Sequence, residues 1–302
     1  MIGIDALIDS LIKSNNFKGE KVKILIRLLQ LFLIYTVLAV FTSSVYADAA
    51  AEMARKLHNP LANIKAIMTD NTIGFKTGDD EGTSYGFQLQ PVYAIDFEDK
   101  GFTFIPRASI PILGLEPGTK TRITGDDGNP TTSGSSRVWG IGDSMLQFFL
   151  APHIKNEWKW GVGPQLSLPT HTDSALKGPD WGAGLAGVIT GNITPSLSFA
   201  GLLGNHWSFD GSFNTASIHP MLYYNIDSMP GAYLGYNATI SADWEATSSN
   251  RWTVPLGLSV GRALDMGGGN GLDLIIGPYW NVIRPDGAAS WAIRFGVNWV
   301  FP

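Results

Sequence analysis

Histidine, serine and a scatter of charged side chains are the groups here with chemistry to offer, and their spacing limits what that chemistry is. The five histidines, at 58, 153, 171, 206 and 219, include no two at metal-ligand spacing, and there is no cysteine. Neither a zinc site nor a disulfide framework is expected. His206-Trp207-Ser208 puts a base and a hydroxyl two residues apart. On a strand that means one face, the arrangement a hydrolytic nucleophile would need beside a third, acidic group. Trp207 is the natural apolar-side residue, however, and it turns His206 and Ser208 away from any lipid substrate. The run Gly267-Gly268-Gly269-Asn270-Gly271 falls between apolar segments and reads as a turn, not a phosphate cradle. No cofactor or nucleotide motif is present, so no cofactor is expected. What remains is a set of polar side chains at alternate positions: Gln88, Gln90, Arg107, Lys159, Gln165, His219, Tyr223, Asn237, Asp243, Asp273, Tyr279 and Arg294.

Alternation is the property of the elements that must position this set. From Trp291 to Phe301, Trp291, Ile293, Phe295, Val297, Trp299 and Phe301 interleave with Ala292, Arg294, Gly296, Asn298 and Val300. One face of that strand is wholly apolar, with an aromatic at both ends, as a strand crossing an outer membrane requires at its two water interfaces. Twelve segments carry strand patterns, near 66–77, 83–97, 102–113, 138–150, 157–168, 181–190, 196–208, 215–226, 232–244, 251–264, 271–283 and 290–301. Those at 66–77, 138–150 and 196–208 alternate least well. Connections at 98–101, 191–195 and 227–231 are short, while 114–137 and 169–180 are long and rich in Gly, Pro, Thr and Asp. Short and long alternate, as in an up-and-down antiparallel barrel with short periplasmic turns and long outer loops. The fold expected is therefore an all-β transmembrane barrel of about twelve strands over 66–302. Prolines at 91, 106, 164, 220, 255 and 278 interrupt these strands, and bulges are the expected reason.

Composition is compatible with this. The 302 residues are 16% charged, 44% hydrophobic and 11% aromatic, with 35 glycines, and mean hydropathy is +0.07. A value near zero is what alternating strands give. A net charge of −5 offers nothing to nucleic acid. Residues 1–47 read as a signal peptide: Lys18, Lys21, Lys23 and Arg27 precede an apolar run from Leu28 to Val40, and Val45-Tyr46-Ala47 suits cleavage before Asp48. A retained membrane anchor is the alternative. Between 48 and 65, Met53, Leu57, Leu61 and Ile64 fall at helical spacing, and Asn59-Pro60 resembles an N-cap with a first-turn proline. Two short helical pieces are expected, which would plug the barrel mouth, pack below it, or form a leader with little fixed structure.

Several motifs occur together in order. They are Lys56-Leu57-His58-Asn59-Pro60-Leu61-Ala62, Gly161-Val162-Gly163-Pro164 with Leu168-Pro169-Thr170, and Trp181-Gly182-Ala183-Gly184. Asn205-His206-Trp207-Ser208-Phe209, Trp252-Thr253-Val254-Pro255-Leu256 and the closing Arg294-Phe295 strand complete the set. The chain resembles the outer-membrane proteins of the MetA-pathway-of-phenol-degradation family. That resemblance implies a bacterial outer-membrane barrel admitting small, aromatic or hydrophobic compounds, and it supplies no functional residues to carry over. The closing aromatic strand is also similar to the signal read by the barrel-assembly machinery, although Pro302 follows it.

The expected function is an outer-membrane channel for passive uptake of small molecules, partnered by the lipid bilayer and its solutes. The alternate polar set then lines a lumen that the N-terminal piece and the 114–137 loop restrict, with Arg107 and Lys159 setting ion selectivity. A second reading pairs Arg107, Lys159, Asp243, Asp273 and Arg294 across a filled interior, giving a closed structural or surface-interaction barrel. An outer-membrane lipid hydrolase and a soluble β-sandwich are the remaining alternatives.

Overall fold

The computed structural model describes residues 47–78, 80–115, 120–122, 130–132 and 137–302. The expected signal peptide and most of the 114–137 loop lie outside them. Among the described residues, helix α1 (Ala47–Leu57) precedes β1 (Lys65–Thr77), β2 (Gly82–Tyr93), β3 (Ile95–Phe97) and β4 (Phe102–Leu115). A separate two-stranded hairpin follows, β5 (Lys120–Arg122) with β6 (Pro130–Thr132). The wall continues with β7 (Val138–Ile141), β8 (Ser144–Pro152), β9 (Lys159–Leu168), β10 (Gly182–Asn192), β11 (Leu197–Ser208) and β12 (Asn214–Asn225). It ends with β13 (Ala232–Asn237), β14 (Ile240–Asp243), β15 (Trp252–Gly257), β16 (Ser259–Gly267), β17 (Asn270–Ile283) and β18 (Trp291–Phe301).

Four pairs, β2/β3, β7/β8, β13/β14 and β15/β16, are single staves with a break in them, so the sheet has twelve antiparallel staves. The sheet closes because β1 pairs with β18, from Lys65 opposite Phe301 to Phe75 opposite Trp291. Closure leaves no sheet edge, which is what a strand structure in hydrocarbon must achieve. The three weakest sequence segments are all strands.

The alternation sets what faces lipid. Leu150, Val162, Leu166, Leu185, Leu203, Ile218, Leu256 and Val260 are exposed, while their neighbours Phe149, Gln165, Ala186, Leu202 and Ser217 are buried. Exposed aromatics form two belts: Tyr93, Trp160, Tyr224 and Trp299 at the end carrying Lys65 and Phe301, and Trp139, Trp181, Trp207, Trp244, Trp252 and Trp280 at the other. A strand the length of β18, tilted as barrels require, spans about 25 Å between its terminal aromatics. The glycine run closes a two-residue hairpin between β16 and β17, with Gly268 and Gly269 at φ 61° and 82°. Such positive values suit the tight turns that match strand twist, and they are glycine's natural territory.

Two expectations need correcting. Only Pro255 sits at a register shift; bulges do not explain the other prolines. Instead, each proline keeps its bridge to one neighbour: Pro91 to Ile67, Pro106 to Phe148, Pro164 to Leu185, Pro220 to Gly201, Pro255 to Asn281 and Pro278 to Ile293. On the other side the ladder skips the position facing the proline. A residue without an N–H loses one bond, and these strands lose it on one side only. The second helical piece is also absent. Asn59 Oδ1 accepts the Leu61 N–H at 2.9 Å, but this makes a turn, and the Ala94 N–H reaches Ile64 O at 3.0 Å to begin the wall.

Candidate functional site

The N-terminal segment and the inward faces of the staves together build the interior. On α1, Ala50, Met53, Ala54 and Leu57 are buried at helical spacing. Met53, Ala54 and Leu57 pack with Ala66, Ala263 and Val300 of β1, β16 and β18. Met53 fills the space beside Gly271, where an added Cβ would meet its sulfur at 2.4 Å and force the Met53 side chain to move. Glu52 and Lys56 pair at 2.9 Å on the solvent side. After α1 the His58 ring stacks on Tyr223 of β12, centroids 3.8 Å apart, and stands edge-on to Tyr233 of β13 at 4.3 Å. Leu61 then joins Ala94, Ile105, Phe149, Ala151, Ala186, Val188 and Leu202 across the barrel. The segment thus touches most of the circumference near the end that carries Lys65 and Phe301.

Above it lies a cavity of about 140 Å³. Ile105, Phe149, Val188, Leu202 and Met221 form one wall, and Asp70, Gln88, Gln90, Arg107, His219, Asn237, Arg294 and Asn298 line another. Leu57, Asn59, Pro60 and Ile64 of the N-terminal segment complete the lining. The polar wall is held by its own hydrogen bonds. Arg107 donates to Gln90 Oε1 at 2.8 Å, the Gln90 amide donates to Gln88 Oε1 at 2.6 Å, and Ser109 donates to the same oxygen at 3.3 Å. Arg294 is ion-paired with Asp70 across the β1–β18 seam, and its guanidinium lies 5.6 Å from the Tyr279 ring centre. His219 is hydrogen-bonded to Asn237 Oδ1. Arg294 and Asp70 offset one another and Arg107 is bonded to a neutral amide, so the wall carries no ring of one charge.

Of the twelve residues singled out from sequence, Gln88, Gln90, Arg107, His219, Tyr223, Asn237 and Arg294 line this cavity. The other five lie elsewhere on the inward face. The Tyr279 hydroxyl accepts the Asn237 N–H at 3.1 Å and bonds Ser259 Oγ at 2.8 Å. Asp273 accepts from Tyr233 at 2.8 Å and from Asn298 at 2.9 Å. Gln165 accepts from Gln147 at 2.7 Å and donates to Leu185 O at 3.2 Å. Asp243 is buried at the far end of β14, where it accepts the Glu245 N–H. Lys159 is exposed at the near rim, in a groove with Glu52, Arg55, Lys56 and Glu157. Sequence reasoning missed Asp70, Asn298 and the whole apolar wall. His206 and Ser208 both point inward but do not meet: His206 Nε2 is 2.9 Å from Ser167 Oγ, and Ser208 donates to Asp210 at 2.6 Å.

One interruption of the wall adjoins the cavity. Between β13/β14 and β15/β16 the bridges stop at Gly235–Ser259 and resume at Ser241–Thr253. Side chains span the gap instead, Tyr236 Oη donating to Pro255 O at 2.7 Å and Tyr279 Oη receiving the Asn237 N–H.

Solved structures resemble this arrangement. The crystal structure of the COG4313 outer membrane channel from Pseudomonas putida F1 matches with TM-score 0.56 and 16% identity, over 80% of this chain and 97% of that one. The fold is that of an outer-membrane barrel. The NanC porin matches with TM-score 0.47 and 10% identity over 79% of this chain and 99% of that one. LpxR from Salmonella typhimurium follows at 0.41 and 10%, over 78% and 100%. No protein-family model and no curated protein sequence matches the chain.

Proposed function

We propose that this chain is a passive outer-membrane channel for small, uncharged amphipathic solutes, held closed by its N-terminal segment. The cavity carries the reading: an apolar wall faces a polar wall in which Arg294 and Asp70 are ion-paired and Arg107 is hydrogen-bonded to Gln90, and the space is continuous with residues 57–64. An apolar cavity of about 150 Å³ takes one benzene ring, so about 140 Å³ is scaled to a single ring or a short chain. Apolar walls with a few fixed polar groups are the usual form of a small-molecule site. The order and spacing of the sequence motifs support membership of the phenol-degradation outer-membrane family, and aromatic solutes agree with that reading. Diffusion down a gradient needs no cofactor. The closing aromatic strand supports delivery by the barrel-assembly machinery. The separation of His206 from Ser208 gives a lipid hydrolase no support.

Planar-bilayer recording tests this, comparing the protein from residue 47 onward with a form lacking 47–62. Brief, small steps in the first and sustained steps several-fold larger in the second are expected. A correctly folded barrel silent in both forms would mean a closed structural barrel, and the channel reading would fall. A second reading concerns route rather than role. The interruption opposite residues 236–240 adjoins the cavity on one side and lipid-facing Leu256 and Leu258 on the other, so an apolar solute would have a sideways path into the bilayer.

A further inference from the structure

His58 is an unusual residue to find at the centre of a plug. It is buried, neither ring nitrogen has a hydrogen-bond partner, and its two neighbours are aromatic rings. The groups facing it are few. Tyr223 lies flat against it on β12, and Tyr233 of β13 spends its hydroxyl on Asp273 of β17. On its own segment Glu52, Arg55 and Lys56 open to the rim groove with Glu157 and Lys159. Nothing in this set is placed to accept a proton from the ring. A neutral imidazole fits by stacking, whereas an imidazolium would have two N–H donors buried without acceptors.

We propose that His58 is a proton-sensitive latch, holding the N-terminal segment in the lumen when neutral and releasing it when protonated. The idea rests on the reading of this segment as the plug of the lumen. Burial pushes the His58 pKa from 6.5 down to about 3 in the closed barrel. In the released segment the ring faces water and recovers its ordinary value. The sign follows: the closed form binds fewer protons, so closure is fully stable above about pH 6.5 and weakens as pH falls toward 3. Each unit of pH below 6.5 shifts the closed–open equilibrium about tenfold toward release.

The test uses the absence of native cysteine. Met53→Cys puts one thiol on the buried face of α1, and its reaction with 4,4′-dithiodipyridine reports the released population even when that population is small. The same reaction at exposed Glu52→Cys corrects for the pH dependence of the thiol itself. The corrected rate should rise about 50-fold between pH 6.5 and 4.5, and His58→Gln should abolish the rise. If His58→Gln no longer docks the segment, His58→Phe keeps the stacked ring without a titratable nitrogen and serves in its place. A flat rate in the His58 protein, or an equal rise in a protein lacking His58, overturns the latch. Conductance recorded on the same samples separates this from the channel reading, because a silent barrel whose thiol still responds to pH keeps the latch and loses the channel.

Discussion

Arg294 and Asp70 show how far single residues could be read. Arg294 sits on the cleanest alternation in the chain, so its inward direction is legible from its neighbours alone. Asp70 lies in the run Thr69-Asp70-Asn71-Thr72, polar on both faces, and period two cannot say which way it points. The structure resolves the ambiguity: Asp70 meets Arg294, while Asn71 accepts from Tyr85 at 2.9 Å. Because the pair is partly buried, with side-chain exposures of 33% and 17%, removing one partner strands a charge. Arg294→Met should destabilise the barrel by about 2 kcal/mol, less than a fully buried pair because water still reaches Asp70. Adding Asp70→Asn should recover part of that loss. Guanidinium unfolding in detergent micelles measures both, and additive losses would show that the two residues do not interact.

Strands were legible and the ladders between them were not. Alternation is a property of one segment, so all twelve staves could be placed from sequence. A ladder is a property of two segments, and the prolines are where they disagree. Pro255 on β15 and Pro278 on β17 fall on adjacent staves, and Pro220 on β12 lies one stave beyond the gap, so the three border one loosened region of wall, which no single strand pattern shows. If this region is a sideways path, tying it shut should block apolar solutes and spare ions. Ala238→Cys with Leu256→Cys places two thiols at positions opposite in register across the gap. Oxidation should then lower uptake of a single-ring solute into liposomes at least several-fold while leaving ion conductance unchanged. Equal loss of both, or of neither, would remove the sideways route. The N-terminal helix was legible as a helix from its apolar spacing. Its continuation was not, because Asn59 favours a turn as readily as a cap and the pull of Ala94 on Ile64 is a tertiary effect.

At the scale of the whole molecule, closure was legible from the even number of strands and the rhythm of short and long connections. Where the N-terminal segment goes was not, since its resting place is assembled from staves far apart in sequence. A closed barrel with its ends sewn together resists detergent without heat. The protein should therefore migrate faster on a gel when unboiled than when boiled, and it should be recovered from outer membranes. Recovery as a soluble protein with no mobility shift would contradict a membrane barrel.

The helix α1 rests on Ala66 near the start of the wall and on Ala263, Gly271 and Val300 near its finish. Its seat therefore does not exist until β16, β17 and β18 have arrived, and the same strands complete the ring against β1. Of the described residues, the part made first is the part that must settle last. Closing a loop of more than two hundred residues is among the slowest contacts a chain can make, and here it coincides with filling the hole. Until that moment a growing wall has a vacant centre and two open margins. Sealing the ring and stoppering it are one event in time.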